Sequence, residues 1–533
     1  ATLSYKKDFK DHYLDVMAGY SYYYKSSYGM SANGQGALTD LIPTLNAVST
    51  YTYMQSNIAR HLMLGYFGRI NYHYKHKYLL SLNARYDAAS QLGKSHKWGF
   101  FPGASIGWNI HEEDFWKNNV NFLRVKLRGS YGVNGNITGI GPYTAQGEYA
   151  VGGKYLGINS IQNTILPNHD LKWEESKTFD LGVDINIFDR RIDVIFDYFN
   201  RNTDNLITQL PMPLSSGFGV ITTNYGSLNN KGLELEVSAR VMPRESAFQW
   251  ELGFNASKVK TKIRKLPNNG VDRNRVGGYY AWNPTINDYD WMGGLQEGGK
   301  IGDLFAWKQI GIYATDQEAK SDPVVDNMAP YEDKTKFGGD TKWLDTDKNG
   351  VIDEKDIVYM GNTYPKWTGG ISSTWSYKNL DLYLRMDYMT GHTIYNERKI
   401  FLSGRWAGNL NMPQEMVDKS WKGQGDIATR PIYIPDDNSN FWRGGDWYGE
   451  GITNSEFYES GNYLCIRELT LSYKVPLVGF MYNKVFKNIR LNVTGNNLHY
   501  FTKYSGSNPE FGGKDAGRYP LPRNFIFGMS ATF

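Results

Sequence analysis

The sequence holds a single cysteine, Cys465, in 533 residues. An internal disulfide and a thiolate metal cluster are thereby excluded. No run approaches the roughly 20 apolar residues of a membrane-spanning helix. The 58 Lys and Arg residues are nearly matched by 54 Asp and Glu, a net charge of +4, too balanced to suggest a nucleic-acid partner. No basic start followed by an apolar segment opens the chain at Ala1, so no signal peptide is expected in it. What the sequence has in excess is tyrosine, 40 residues, and glycine, 57 residues. Many β-strands rich in aromatics are the class that remains.

Two-residue alternation recurs along the whole length. Leu380, Leu382, Leu384, Met386 and Tyr388 alternate with Asp381, Tyr383, Arg385 and Asp387. Leu233, Leu235, Val237, Ala239 and Val241 alternate with Glu234, Glu236, Ser238 and Arg240. Tyr78, Leu80, Leu82, Ala84 and Tyr86 share a face, and Phe525, Phe527, Met529, Ala531 and Phe533 repeat the pattern at the end. An apolar face opposite a polar one suits a soluble sandwich and a membrane barrel alike. Length separates them, because soluble strands average about 5–6 residues and membrane strands need about 9–11. The candidates are of the longer kind: 12–24, 62–74, 77–88, 99–110, 121–133, 176–187, 191–201, 231–241, 248–258, 366–377, 380–391, 461–475, 488–498 and 524–533.

The connections carry a second signal. Odd-numbered ones hold 37, 10, 42, 29, roughly 106, 69 and 25 residues, and even-numbered ones 2, 10, 3, 6, 2 and 12. Short periplasmic turns alternating with long extracellular loops are the signature of bacterial outer-membrane barrels. The expected fold is therefore all-β, an antiparallel transmembrane barrel with about 14 strands in this chain. Its large extracellular loops fall at about 134–175, 259–365 and 392–460. The apolar stretch from Leu304 to Tyr313 would break the parity as a spanning strand, so it is assigned to the second of these loops.

Seven stretches, in order, point to a family. They are Arg85-Tyr-Asp-Ala-Ala-Ser90, Trp98-Gly-Phe-Phe-Pro-Gly-Ala-Ser-Ile-Gly-Trp108, Leu127-Arg-Gly-Ser-Tyr-Gly-Val-Asn-Gly-Asn136 and Asp170-Leu-Lys-Trp-Glu174. Gly339-Asp-Thr-Lys-Trp-Leu-Asp345, Tyr364-Pro-Lys-Trp-Thr-Gly-Gly370 and Lys503-Tyr-Ser-Gly-Ser-Asn-Pro-Glu510 follow. With them the chain resembles the C-terminal part of SusC/RagA-type TonB-dependent outer-membrane transporters of Bacteroidetes. Phe533, ending an alternating strand, resembles the last-strand signal read by the barrel assembly machinery.

The resemblance implies a barrel of 22 strands around a plug, of which this chain would supply about fourteen. The plug, the TonB-contacting segment and the leading strands would lie outside it. It implies uptake of a glycan, an oligosaccharide or an oligopeptide, a SusD-like surface lipoprotein as lid, and TonB as the energy source. A dimer of transporter–lipoprotein pairs is an assembly it allows. A complete fourteen-stranded barrel is the alternative geometry, since even-numbered barrels close. A passive porin or structural barrel is the alternative function, and a soluble carbohydrate-binding module a third reading.

Asp345-Thr-Asp-Lys-Asn-Gly-Val-Ile-Asp-Glu-Lys-Asp356 has the spacing of a calcium loop. Asp345, Asp347 and Asn349 stand at positions 1, 3 and 5, Gly350 at the sharp turn, Val351 at the carbonyl position, Asp353 at 9 and Asp356 at 12. Hard oxygen donors at this spacing suit a structural Ca²⁺ and not zinc. Two departures stand out: Asp356 is one methylene shorter than the usual Glu, and no amphipathic helices flank the loop. A polar turn is the competing reading, since Asp, Asn and Gly dominate turns.

Aromatic residues cluster in the long loops as Tyr280, Trp282, Tyr289 and Trp291, and as Trp442, Trp447 and Tyr448. Rings beside carboxylates and amides suit a sugar ligand. They equally suit a partner protein, where Tyr, Trp and Arg are enriched, or the small internal core a large loop needs. Tyr20, Tyr22, Tyr23, Tyr24, Tyr72 and Tyr74 fall near strand ends and fit interfacial girdles. Catalysis finds no support. His73 and His76 lack a carboxylate at metal spacing, and Ala88 to Ser95 lacks the first glycine of a phosphate loop. An enzyme is not expected.

Overall fold

The computed structural model describes residues 1–327, 333–402, 413–433, 454–476 and 486–533. The chain forms two compact units, one of residues 1–120, 125–183 and 199–229, the other of residues 121–124, 184–198 and 230–533. Fifteen long strands, ordered as in the chain, make up the main antiparallel sheet. They are β1 (Thr2–Phe9), β2 (His12–Ala37), β3 (Val48–Tyr74), β4 (Tyr78–Ala89), β5 (Trp98–Asn109), β6 (Leu123–Asn136), β7 (Glu174–Ile187) and β8 (Ile192–Asp204). The remainder are β9 (Ser227–Arg240), β10 (Phe248–Lys265), β11 (Trp367–Tyr377), β12 (Leu380–Thr390), β13 (Tyr463–Lys474), β14 (Asn488–Thr502) and β15 (Asn524–Thr532).

Each of the fourteen expected strands has a counterpart, and β1 is additional. Its Lys6-Lys7-Asp8 run breaks the alternation that marks the others. Backbone pairing with β2, from Phe9↔His12 to Thr2↔Gly19, holds it as a strand. β2 and β3 also run well past their expected upper ends. They stay paired from His12↔Tyr74 to Ala37↔Val48, with an irregularity between Asn33 and Gly34.

In the first unit β3 pairs with β4, β4 with β5 and β5 with β6. Leu80, Leu82 and Tyr86 of β4 are large apolar side chains left exposed, as a lipid-facing surface requires. A small core sits at the long-loop ends of these strands. Phe101 of β5 meets the Trp173 ring edge-on at 5.2 Å, and Ala89, Leu92, Ile140, Ala145 and Leu171 are buried with them. The loop between β6 and β7 adds a hairpin, Glu148–Tyr155 with Ile158–Ile165.

In the second unit β10 pairs with β11, and pairing continues in order through β12, β13, β14 and β15. The loop between β10 and β11 folds on its own residues. Tyr279–Asn283 pairs with Asp288–Met292, Asp303–Trp307 with Ile357–Asn362, and Gln309–Ile312 with Thr341–Trp343. The stretch 304–313 thus lies in small loop sheets and not in the main sheet. Ala281, Phe305, Trp307, Trp343, Ile352 and Ile357 form the core of this loop.

Candidate functional site

The acidic loop is shaped by its own backbone amides. The Asp345 carboxylate accepts from the amides of Asn349 (3.2 Å) and Gly350 (2.9 Å). Asp347 accepts from the Asn349 amide at 3.0 Å. Gly350 has φ +82 with open space where a Cβ would stand, so glycine is needed for its backbone alone. Asp356 is fully buried and accepts from the amides of Thr346 (2.7 Å) and Asp353 (2.9 Å). The chain thereby folds its acidic side chains toward one point. Carboxylate oxygens of Asp345, Asp347 and Asp356 come within 4.8 Å of one another. Burial pushes the Asp356 carboxyl above the ordinary carboxylate range, and the charges of Asp347 and Asp345 add to the shift.

Three carboxylates, one of them buried, form a hard-oxygen set that fits a divalent cation of the calcium type. The other expected ligands are placed differently. The Asn349 side chain accepts from the Val351 amide (2.7 Å) and donates to Asp347 (2.9 Å). Val351 lies in a two-residue parallel pairing with Val325. Asp353 caps the short turn Glu354–Asp356, accepting from the Lys355 amide.

The aromatic hairpin 279–292 sorts its rings by strand alternation. Tyr279 and Met292 pack against the loop core and Ala281 lies within it. Tyr280 is registered with Trp291 and Trp282 with Tyr289, so these four side chains share the opposite face. They form a continuous row: Trp282–Tyr289 at 5.4 Å, Tyr289–Tyr280 at 5.8 Å and Tyr280–Trp291 at 5.5 Å between ring centroids. Arg275 lies over Trp291 at 3.7 Å and Lys355 over Tyr289 at 5.5 Å, both within cation–π range. The row and the acidic loop touch, because the Tyr289 hydroxyl donates to Asp347. That hydrogen bond, with some desolvation, pushes the Tyr289 phenol up to about 12. Trp442, Trp447 and Tyr448 lie outside the described residues.

A second polar cluster escaped the sequence reading. Arg467 of β13 makes a two-pronged ion pair with Asp387 of β12 (2.6 and 2.7 Å) and a third contact with Glu510 (2.6 Å). Glu510 belongs to the motif Lys503–Glu510, so this contact ties the β14–β15 loop to the strands. The same loop accepts from a buried histidine, His392 Nε2 to the Pro509 carbonyl at 3.1 Å. The only signal available in sequence was a lone Arg in an alternating strand, which a wet barrel interior would explain equally well.

Long amphipathic strands paired in one antiparallel sheet, with large apolar side chains left exposed along them, are those of an outer-membrane β-barrel. Residues 1–498 match the family described as TonB dependent receptor-like, beta-barrel, and the chain belongs to that family. It is 30% identical to TonB-dependent receptor P3 of Formosa agariphila, over 100% of this chain and 52% of that protein. To TonB-dependent receptor SusC of Bacteroides thetaiotaomicron it is 27% identical, over 89% of this chain and 44% of that one. The structure of the RagAB peptide transporter has the same fold, with a TM-score of 0.78 at 21% identity over 100% of this chain and 55% of that chain. The chain therefore spans about half the length of the relatives it matches.

Proposed function

We propose that this chain supplies barrel wall and extracellular loops to an active importer of a large nutrient, a glycan, an oligosaccharide or an oligopeptide. A SusD-like surface lipoprotein lids the barrel. The plug, the leading strands and the segment that receives the pull of TonB come from sequence outside this chain. The observation that supports this most is the family match over residues 1–498. Of the similar structures, RagAB is a peptide transporter, which supports the oligopeptide class; the row of loop aromatics beside carboxylates supports the sugar class. The test is uptake of labelled oligosaccharides and oligopeptides by cells with and without the gene, each with and without a protonophore. Gene-dependent uptake abolished by the protonophore is expected. Uptake that depends on the gene but ignores the protonophore would make the protein a passive pore.

The aromatic row fits the same reading as a contact surface for cargo or lid, because its rings face away from the core that holds the loop together. Trp291→Ala is expected to weaken cargo or lipoprotein binding while leaving the barrel folded. We also propose that Asp345, Asp347 and Asp356 hold a structural Ca²⁺ that fastens the loop. Calorimetric calcium titrations of the wild type and of Asp345→Ala should differ; identical null isotherms would dispose of the site.

A further inference from the structure

β10 changes character along one of its faces. Phe248, Trp250, Leu252, Phe254 and Ala256 share a side, registered through β11 with Leu380, Leu382, Leu384, Met386 and Tyr388 of β12. This is the lipid-facing side, and its apolar length is close to the roughly ten residues of a spanning strand. The same alternation then carries Lys258, Lys260, Lys262 and Arg264 upward on the long-loop side, to the end of β10 at Lys265. Contacts with β9 on the opposite face agree with this sorting. Ser257 donates to Glu234 at 3.4 Å and Thr261 to Asn230 at 2.6 Å. Together with the Val241 amide, which donates to the Trp250 carbonyl at 2.8 Å, they set a register in which Lys231 stands opposite Lys260 on the cationic face.

Lys231, Lys260, Lys262 and Arg264 are exposed, and Lys258 is half-buried. None of the five has a carboxylate partner among the described residues. Lys258 lies instead over the Trp367 ring at 4.9 Å. Other strand cations differ: Arg69, Arg85, Arg467 and Arg490 have carboxylates at 3.5, 3.0, 2.6 and 2.8 Å. Between Glu251 and Lys265 the strand holds no acidic residue. Glu234 of β9 is on the opposite face, and Glu297, beside the end of β10, is taken up by the Leu266 amide and the Asn274 side chain. Like charges directly opposite, as Lys231 and Lys260 are, destabilise a sheet. An anion from outside the chain removes that repulsion.

Height narrows the class of anion. Trp367, on the lipid-facing side at the upper end of β11, fits the interfacial girdle, so Lys258 stands where the apolar band gives way to headgroups. On a strand tilted near 40° two residues rise by about 5 Å, which puts Arg264 about 15 Å above Lys258. The polar layer of a simple bilayer is only about 5–8 Å thick on each side. A single sheet of phosphates would meet Lys258, Lys231 and Lys260 and leave Lys262 and Arg264 without a counterion. A lipid whose headgroup is an acidic oligosaccharide presents negative charge through the whole height.

We propose that the outer face of β9 and β10 seats a phosphorylated glycolipid with an acidic sugar headgroup. Its acyl chains lie along Leu252 and Phe254, its phosphate is held among Lys258, Lys231 and Lys260, and the acidic sugars above reach Lys262 and Arg264. Other occupants fit less well. A lid sits over the lumen, from which this face points away. A second copy docking through the same face would bring these cations against their own kind. A free anion would gain nothing from the apolar stripe that runs directly beneath.

The test uses the protein in its full outer-membrane form, purified in mild detergent, with binding read by native mass spectrometry. The probes are phosphorylated lipid A, the same lipid after phosphatase treatment, and a lipopolysaccharide that keeps an acidic inner core. Wild type should prefer phosphorylated over dephosphorylated lipid A. Lys231→Gln/Lys260→Gln should bind the phosphorylated form roughly thirtyfold more weakly, the loss of two membrane-surface cations, and the dephosphorylated form as before. Lys262→Gln/Arg264→Gln should weaken the core-bearing lipid by a similar factor and leave lipid A unaltered. Lys154→Gln/Lys320→Gln, which removes the same charge from exposed loops, should change neither. Unaltered heat-modifiable gel migration verifies that each variant is folded. Equal affinity of wild type for the two forms of lipid A overturns the proposal, as does equal affinity of wild type and either stripe variant for its lipid. Displacement of the lipid by millimolar inorganic phosphate, or a stripe variant that keeps its lipids and loses a protein partner, overturns it as well.

Discussion

Calcium is expected to slow hydrogen exchange across residues 345–356. Asp345, Asp347 and Asp356 bring oxygens within 4.8 Å of one another. Two unit charges at that spacing repel by about 3.5 kcal/mol at an effective dielectric constant of 20 and by about 0.9 kcal/mol in bulk water. Asp356 is buried and the other two are half-buried, so each pair falls between those limits. A divalent cation turns the repulsion into attraction. Extracellular calcium modules bind with Kd values of about 0.1–1 mM. For a Kd of about 0.1 mM, free calcium at about 1 mM slows opening-limited exchange by about elevenfold, or about 1.4 kcal/mol. The amides to follow are those of Thr346, Asn349, Gly350 and Asp353, which donate to these carboxylates. Exchange measured by mass spectrometry on peptides covering 341–362, with and without calcium, reads them directly. The reasoning is refuted if exchange is the same in both conditions, or if Asp345→Ala slows as much as wild type.

Three further outcomes are expected. A Cβ at Gly135 would collide with the rings of Phe101 and Trp173, so Gly135→Ala should cost about 1–3 kcal/mol of overpacking, seen as a lower urea midpoint and partly restored by Phe101→Leu. Arg467→Met would leave Asp387 and Glu510 without their shared cation, a loss of about 1–3 kcal/mol for half-buried charged hydrogen bonds, detected as faster proteolysis of the 503–523 loop. His392 is buried, its Nε2 donates to Pro509 and its Nδ1 has no partner among the described residues; burial lowers its pKa from 6.5. The unfolded imidazole thus takes up a proton more readily than the folded one, so this contribution is intact above about pH 6.5 and shrinks as pH falls below it. Exchange at Thr393–Tyr395, corrected for intrinsic rate, should therefore accelerate on acidification in wild type and not in His392→Gln.

The spanning strands were legible because their two faces meet different surroundings. Lipid on one side and polar groups on the other write a period of two into the sequence, as in Leu380 to Tyr388. Where that contrast is absent the reading weakens. β1 carries Lys6, Lys7 and Asp8 and is defined by backbone pairing with β2. The upper halves of β2 and β3 carry runs such as Ser26-Ser27 and Gly34-Gln35-Gly36, whose composition resembles loop. The loop sheets were out of reach for another reason. Asp303–Trp307 finds its partner at Ile357–Asn362, a pairing across some fifty residues that no local pattern announces. The acidic loop was legible as a spacing, and Tyr280, Trp282, Tyr289 and Trp291 as a composition. That Tyr289 links the two is a matter of folding alone.

The family motifs, each weak by itself, acquire a physical reason once their residues are placed. Trp98–Trp108 contributes Gly99 and Phe101, Leu127–Asn136 contributes Gly135, and Asp170–Glu174 contributes Leu171 and Trp173. All five meet in one small core at the loop ends of β5 and β6. Gly99 and Gly135 are there because two large rings fill the space where their Cβ atoms would be. The Trp173 indole N–H donates to the Lys97 carbonyl at 3.0 Å, which fixes the ring and with it the approach of the loop to β5. Lys503–Glu510 works the same way from the other end of the chain. Ser505 donates to Glu459, Glu510 reaches Arg467, and Pro509 accepts from His392. The motifs are thus the points where long loops are pinned to the barrel. Residues at such points are constrained by several neighbours at once, whereas strand residues that face lipid need only be apolar. That difference predicts where substitutions act. A change at Trp173 or Glu510 should loosen a whole loop while leaving the strands beneath it protected, and an exchange of Leu80 for Ile should leave both unaltered. Proteolysis of the loops followed against exchange in the strands separates the two, and equal loosening of strand and loop by Trp173→Ala would show that the core belongs to the barrel and not to the loop.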